Sequence, residues 1–98
     1  MTIDKKAVLR QVGGKIAYFR TLVGMTQGEL AQKINTTRST VSKIECGNYN
    51  GRLDMIYLIN IAEALQIDLS LLLTFSSFEK DMWEKNHSKQ AGKNPKEQ

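Results

Sequence analysis

The sequence predicts an all-α protein: a compact five-helix domain with an additional C-terminal helix. Three observations predict it. Apolar residues recur at three- and four-residue spacing through most of the chain, the repeat of a helix with one buried face. Good N-cap residues (Asp4, Thr26, Thr37, Asp54, Asp68) stand just before those stretches. The one proline, Pro95, lies near the C-terminal end and interrupts none of them.

The first helix runs over residues 4–23, with Val8, Leu9, Val12, Ile16, Phe19, Leu22 and Val23 as its apolar stripe. Gly13 and Gly14 interrupt it, and a glycine costs about 1 kcal/mol in a helix interior. A kink there, or a separate arm over 4–12, is therefore expected. Lys5, Lys6 and Arg10 of that arm are candidates for a polyanionic partner, beside the plainer reading of a solvated face.

The stretch from Met25 to Gly47 organises the rest. Thr26 with Glu29 makes a capping box. Leu30, Ala31 and Ile34 form one stripe, and small Ala31 permits close approach of a second helix. Asn35 tolerates the left-handed conformation that stops a helix. Thr37 caps the next one, Arg38 to Glu45. At about 100° per residue, Val41 and Ile44 lie opposite Arg38, Ser39, Ser42 and Lys43. The first pair is expected to pack on Leu30 and Ile34. The second set is cationic, rich in donors and free of bulk, as a helix that enters a DNA major groove requires.

Beyond Gly47, residues 48–52 (Asn-Tyr-Asn-Gly-Arg) form a loop of turn formers. Asp54 caps a fourth helix, Met55 to Leu65, with Met55, Leu58, Ile59, Ala62 and Leu65 as its core stripe. Ile56, Tyr57 and Ile61 add apolar surface on other faces. Asp68 caps a short fifth helix, Leu69 to Leu73. Ser76 with Glu79 opens the additional helix, whose Phe75, Phe78, Met82 and Trp83 share one face; residues 88–98 are polar. The organisation expected is a domain over 1–75 and an amphipathic helix with a polar tail over 76–98, with the surplus apolar surface at Leu69, Leu72, Phe78, Met82 and Trp83 expected to form a dimer seam through the fifth and the additional helix.

This pattern resembles the helix-turn-helix of the lambdoid phage repressors, the XRE family. The resemblance rests on Thr26-Gln27, Leu30-Ala31, Thr37, Val41, Ser42, Ile44, Glu45 and Gly47, and it covers roughly Lys15 to Leu73. Asn35 stands where the family has a turn glycine, and Thr36 where it has an apolar residue. The resemblance implies a lambda-repressor-like DNA-binding domain in which Arg20 pairs with Glu45. It also implies that Arg38, Ser39, Ser42 and Lys43 read bases; Gln27, at the start of the second helix, and Thr37 are placed for phosphate in that docking mode. Asn48, Tyr49 and Arg52 of the loop are further DNA-binding candidates, beside the equal reading of an ordinary surface loop. The function implied is sequence-specific binding of double-stranded DNA, as a homodimer on a two-fold symmetric operator, to regulate transcription by repression rather than activation. An antitoxin-type module that silences a protein partner is the alternative, motivated by the apolar residues beyond Phe75. RNA binding is disfavoured, because aromatic platforms for unstacked bases are not evident.

Other classes find little support. A net charge of +4 suits a polyanionic partner, although solubility explains it equally. Cys46 is the one cysteine and His87 the one histidine, too few for a metal site, which needs three or four ligands. Cys46 has no identifiable base beside it and reads as an inert residue at a helix end. No phosphate-cradle spacing occurs among the glycines. The expectation is a cytoplasmic protein with no enzymatic activity, no cofactor, no metal and no membrane association.

Overall fold

The computed structural model describes residues 3–74, and among these the regular secondary structure is all helix, with no strand. The helices are α1 (Lys5–Leu22), α2 (Gln27–Lys33), α3 (Arg38–Glu45), α4 (Met55–Leu65) and α5 (Ser70–Leu73). The additional helix expected over 76–98 lies outside the described residues.

The starts of the helices follow the cap residues. Asp4 accepts from the Ala7 amide at 3.2 Å, and Asp54 accepts from Tyr57 at 2.9 Å. Thr26 accepts from the Glu29 amide at 3.0 Å while Glu29 accepts from the Thr26 amide at 2.8 Å, completing the capping box. Thr37 accepts from the Thr40 amide at 3.1 Å. Helix α5 differs from expectation. It begins at Ser70 without a side-chain cap, and the Asp68 carbonyl, not its carboxylate, accepts from the Leu71 amide.

The ends of α1 to α4 share one device. Gly24, Asn35, Gly47 and Gln66 are all left-handed. Behind each, two amides fold back onto the last turn, as Gly47 to the Ile44 carbonyl and Asn48 to the Lys43 carbonyl. This is the Schellman arrangement, which satisfies carbonyls that a helix end would leave bare. Asn35 adopts it at φ 61°, so the turn between α2 and α3 keeps its geometry without glycine. Thr36, in place of an apolar residue, supplies the second bond to the Ala31 carbonyl.

The core is a single cluster drawn from all five helices: Val12, Ile16, Leu30, Ala31, Val41, Ile44, Leu58, Ile61, Ala62, Leu65 and Leu72. Two stripes are turned from where the sequence placed them. In α4, Ile61 is buried, while Met55 and Ile59 are 52% and 41% exposed. The residues that are buried, Leu58, Ile61, Ala62 and Leu65, span an arc of about 100° that leaves Met55, Ile56 and Ile59 outside it. In α1, Val12 and Ile16 are buried and Phe19 packs on them, while Val8, Leu22 and Val23 face solvent. Both helices carry more apolar residues than their neighbours can cover, so periodicity alone could not choose between faces.

Helix α1 is also continuous; the glycine pair does not divide it into a helix and a separate arm. Gly13 is instead the point where α1 meets the end of α3. A Cβ there would stand 2.7 Å from the Glu45 carbonyl oxygen and closer still to that of Ile44. The propensity cost of glycine is offset by this backbone approach.

Arg20 makes the second tie between α1 and α3. Its Nε donates to Glu45 Oε2 at 2.6 Å and its Nη2 to Glu45 Oε1 at 3.1 Å, a two-pronged pair. Its Nη1 donates to the Met25 carbonyl at 2.7 Å. The two side chains are only 15% and 6% exposed.

Two stability outcomes follow. Arg20→Ala strands the Glu45 carboxylate, and removing one partner of a buried pair costs about 3–5 kcal/mol. Chemical denaturation reads this, and an unchanged midpoint would show that the pair contributes nothing. Gly13→Ala should destabilise by about 1–3 kcal/mol, the cost of overpacking, although alanine favours a helix. Gly28→Ala is the control: the nearest atom to its added Cβ is Thr26 Oγ1 at 3.9 Å. It should be neutral or stabilising. Equal melting shifts for the two variants would refute the close approach at Gly13.

Candidate nucleic-acid interface

The candidate interface is built on α3. Val41 and Ile44 are buried in the core, which fixes the rotation of the helix about its axis. Arg38, Ser39 and Lys43 consequently face solvent, and Ser42 is half-buried at the edge of the same face. Half-buried Thr40 lies between Ser39 and Val41, its hydroxyl accepting from that of Thr37 at 3.0 Å. The exposed surface of α3 thus offers two cations and two hydroxyls, with no bulky side chain among them. Such a set can lie in a major groove and hydrogen-bond base edges, arginine and lysine favouring guanine.

Helix α2 lies against α3 and frames one end of this face. Met25, Thr26 and Gln27 line a shallow groove together with Arg38. The Arg38 side chain and the start of α2 therefore border one groove, an arrangement in which one could touch the backbone beside bases met by the other. The Gln27 carboxamide also has an internal task. Its Nε2 donates to Glu45 Oε1 at 2.9 Å, so Gln27 joins the Arg20–Glu45 pair. One amide hydrogen and the amide oxygen are not used by that bond. The Thr37 hydroxyl is engaged with Thr40 as a helix cap.

At the other end of α3, the loop carries Asn48 and Arg52 exposed to solvent. Tyr49 is placed differently. Its ring packs edge-on against Tyr57 at 5.9 Å and joins the periphery of the core. Its hydroxyl lies over Gly51, where a Cβ would collide with it. Loss of water around the phenol, with smaller contributions from Tyr57 and Asp54, raises its pKa above the usual 10.0. Tyr49 stays neutral at neutral pH and shapes the loop from inside.

The sequence reading did not find the bond from Gln27 to Glu45 or the role of the Met25 carbonyl. Neither leaves a periodic signal, because both depend on how α1, α2 and α3 converge. Among the described residues, no three of His, Cys, Asp and Glu cluster as metal ligands. No described helix is long and apolar enough to cross a membrane. Cys46 is exposed at the end of α3.

Comparison with known proteins agrees with this geometry. Two uncharacterized HTH-type transcriptional regulators of Archaeoglobus fulgidus are 34% and 35% identical over 71 residues. Those alignments span 72% of this chain and 94% and 96% of the relatives. Another such regulator, from Methanocaldococcus jannaschii, is 38% identical over 45 residues, 46% of this chain and 68% of its own. Among solved structures, the restriction-modification controller protein C.AhdI from Aeromonas hydrophila superposes with a TM-score of 0.64 at 31% identity. It covers 71% of this chain and 99% of its own. Residues 16–72 match the helix-turn-helix family itself. The chain therefore belongs to the XRE-type helix-turn-helix family, whose fold is DNA-binding and not catalytic, and it carries the DNA-binding domain of a transcriptional regulator.

Proposed function

We propose that the protein binds a two-fold symmetric operator as a homodimer and represses transcription there, within a domain extending to about residue 75. The observation that carries the reading is the orientation of α3. Val41 and Ile44 point into the core, and Arg38, Ser39 and Lys43 point out from a helix locked at its far end by Arg20 and Gln27. In this docking mode α3 enters the major groove and α2 crosses the backbone. Arg38, Ser39, Ser42 and Lys43 read bases; Gln27, Asn48 and Arg52 touch phosphate, with Tyr49 and Thr37 supporting the surfaces beside them. Repression is favoured because it needs only occupancy of the site, whereas activation needs a further surface for the transcription machinery.

Dimerisation is supported by apolar surface that the core leaves uncovered. Met55, Ile56 and Ile59 of α4 are exposed, and Leu71 and Leu73 of α5 are about 40% exposed. Leu72, expected from the sequence to join the seam, is fully buried, and Leu69 packs on the core. The seam is therefore assigned to α4 and α5. Phe78, Met82 and Trp83, also expected in the seam, lie outside the described residues, as does the surface that motivated an antitoxin role. Two subunits would place their reading helices in half-sites about one helical turn, roughly 34 Å, apart.

Two outcomes test the proposal. Sites selected from a random duplex pool should be palindromic. Across their single-base variants, Arg38→Ala should lose discrimination at one position per half-site, about 1–3 kcal/mol, and keep it elsewhere. A uniform loss of affinity over all variants would make Arg38 a backbone contact. Separately, Ile59→Glu should leave the monomer folded, because the side chain is solvent-facing, and should abolish the dimer in sedimentation. A wild-type chain that is monomeric both at micromolar concentration and on its operator would defeat the dimer.

A further inference from the structure

Arg10 is the one polar residue of the described chain with a buried side-chain nitrogen and no partner for it. Its Nε is closed off from solvent and meets no hydrogen-bond acceptor. It stands against Gly47, the residue on which the chain leaves α3. A Cβ at Gly47 would lie 2.6 Å from Arg10 Cγ and 3.0 Å from Arg10 Cα. Gly47 is left-handed and α1 crosses directly over it, so the Arg10 stem is pinned at the exit of the reading helix. The residue as a whole is half-buried, so part of it meets solvent.

We infer that Arg10 is a DNA phosphate contact, supplied by the first turns of α1. This rests on the DNA-binding mode proposed above. The family match begins at residue 16, so Arg10 lies in a part of α1 that the match does not include. A guanidinium has five donors in a planar fork, and a phosphate oxygen is an acceptor suited to it. The sealed Nε cannot itself meet a ligand; the Nη groups of the same fork are the donors that an arriving phosphate would meet. The place of Arg10 selects the backbone over the bases. The residue stands against Gly47, directly after the C-terminal end of α3, whereas base edges are read from the N-terminal part of the helix. The packing at Gly47 involves the Arg10 backbone and stem, so the charged head can be replaced without removing the crossing.

The test titrates a labelled random-sequence duplex of about 20 base pairs at several salt concentrations between about 50 and 200 mM. Wild type, Arg10→Met and Arg10→Lys are compared, each with its melting temperature. Arg10→Met keeps the apolar stem and removes the charge. It should lower the slope of log affinity against log salt by about one and weaken binding roughly five- to tenfold near 0.1 M salt. Arg10→Lys should keep the slope. Arg10→Met should melt no lower than wild type, since no internal bond is lost. A wild-type slope for Arg10→Met overturns the assignment, and so does an affinity loss matched by a loss of folded protein. If wild type itself bound no duplex, the DNA-binding mode would fall and this inference with it. A failure confined to Arg10→Met leaves that mode standing.

Discussion

The orientation of the reading helix depends on one carboxylate. Glu45, the last residue of α3, is held by Arg20 from α1 and by Gln27 from the start of α2. Arg20 in turn holds the Met25 carbonyl in the turn between those helices. Three helices and the turn between two of them are thus tied together through a group only 6% exposed. Desolvating such a pair is expensive, and burial by itself is weak evidence of net stabilisation. What the cluster supplies is geometry: its donors come from fixed directions, so the end of α3 has one position relative to α1 and α2. Val41 and Ile44 set the rotation of the helix, and Glu45 sets where it ends.

The glycine contacts make this possible. A pair between α1 and α3 forms only if the two backbones are close, and Gly13 brings the Ile44 and Glu45 carbonyls against α1. Gly47 then turns the chain away beneath Arg10. Polar clasp and backbone crossing therefore sit within a few residues of each other at one end of α3. The other end, where Arg38 and Ser39 stand, is left unobstructed. A small core of eleven residues fills the space beneath without having to hold the helix end by packing alone.

Much of this was legible in the sequence because it is encoded locally. Thr26, Thr37 and Asp54 announce helix starts, and Asn35 a stop, through bonds that span three to five residues. The division of α3 into a core face and an outer face follows from periodicity in a helix with only two apolar residues. Helices α1 and α4 resisted the same treatment, since each has apolar residues on several faces and only the neighbours decide which are buried. The exposure of Met55 and Ile59 is a tertiary outcome. The close approach at Gly13 was also illegible: a glycine that admits a neighbouring backbone and a glycine that weakens a helix look alike in sequence. Resemblance indicated the partner of Arg20, but Gln27, assigned to phosphate alone, proved to be a third member of that cluster.

The shared use of Gln27 has a consequence for how binding and folding are connected. Its amide bonds Glu45 through one hydrogen, and its remaining groups are those a phosphate could meet. A contact made there would bear on a side chain whose position is already set by the cluster that orients α3. Little ordering entropy would be lost on binding, since a preorganised side chain contributes more of its interaction to affinity. The same reasoning separates Gln27 from Lys43, an exposed side chain with no such anchor, which must lose rotamer freedom to touch a base. In the proposed docking mode, a preorganised grip beside exposed, unanchored side chains would let the backbone contacts fix register first, after which the bases would decide whether the long side chains find partners. With one reading helix contributing about 1–3 kcal/mol for each good bidentate contact, a single subunit discriminates modestly. In the proposed dimer, symmetry would add the same free energies again on the second half-site, and the exposed apolar face of α4 and α5 is the surface on which that doubling would rest.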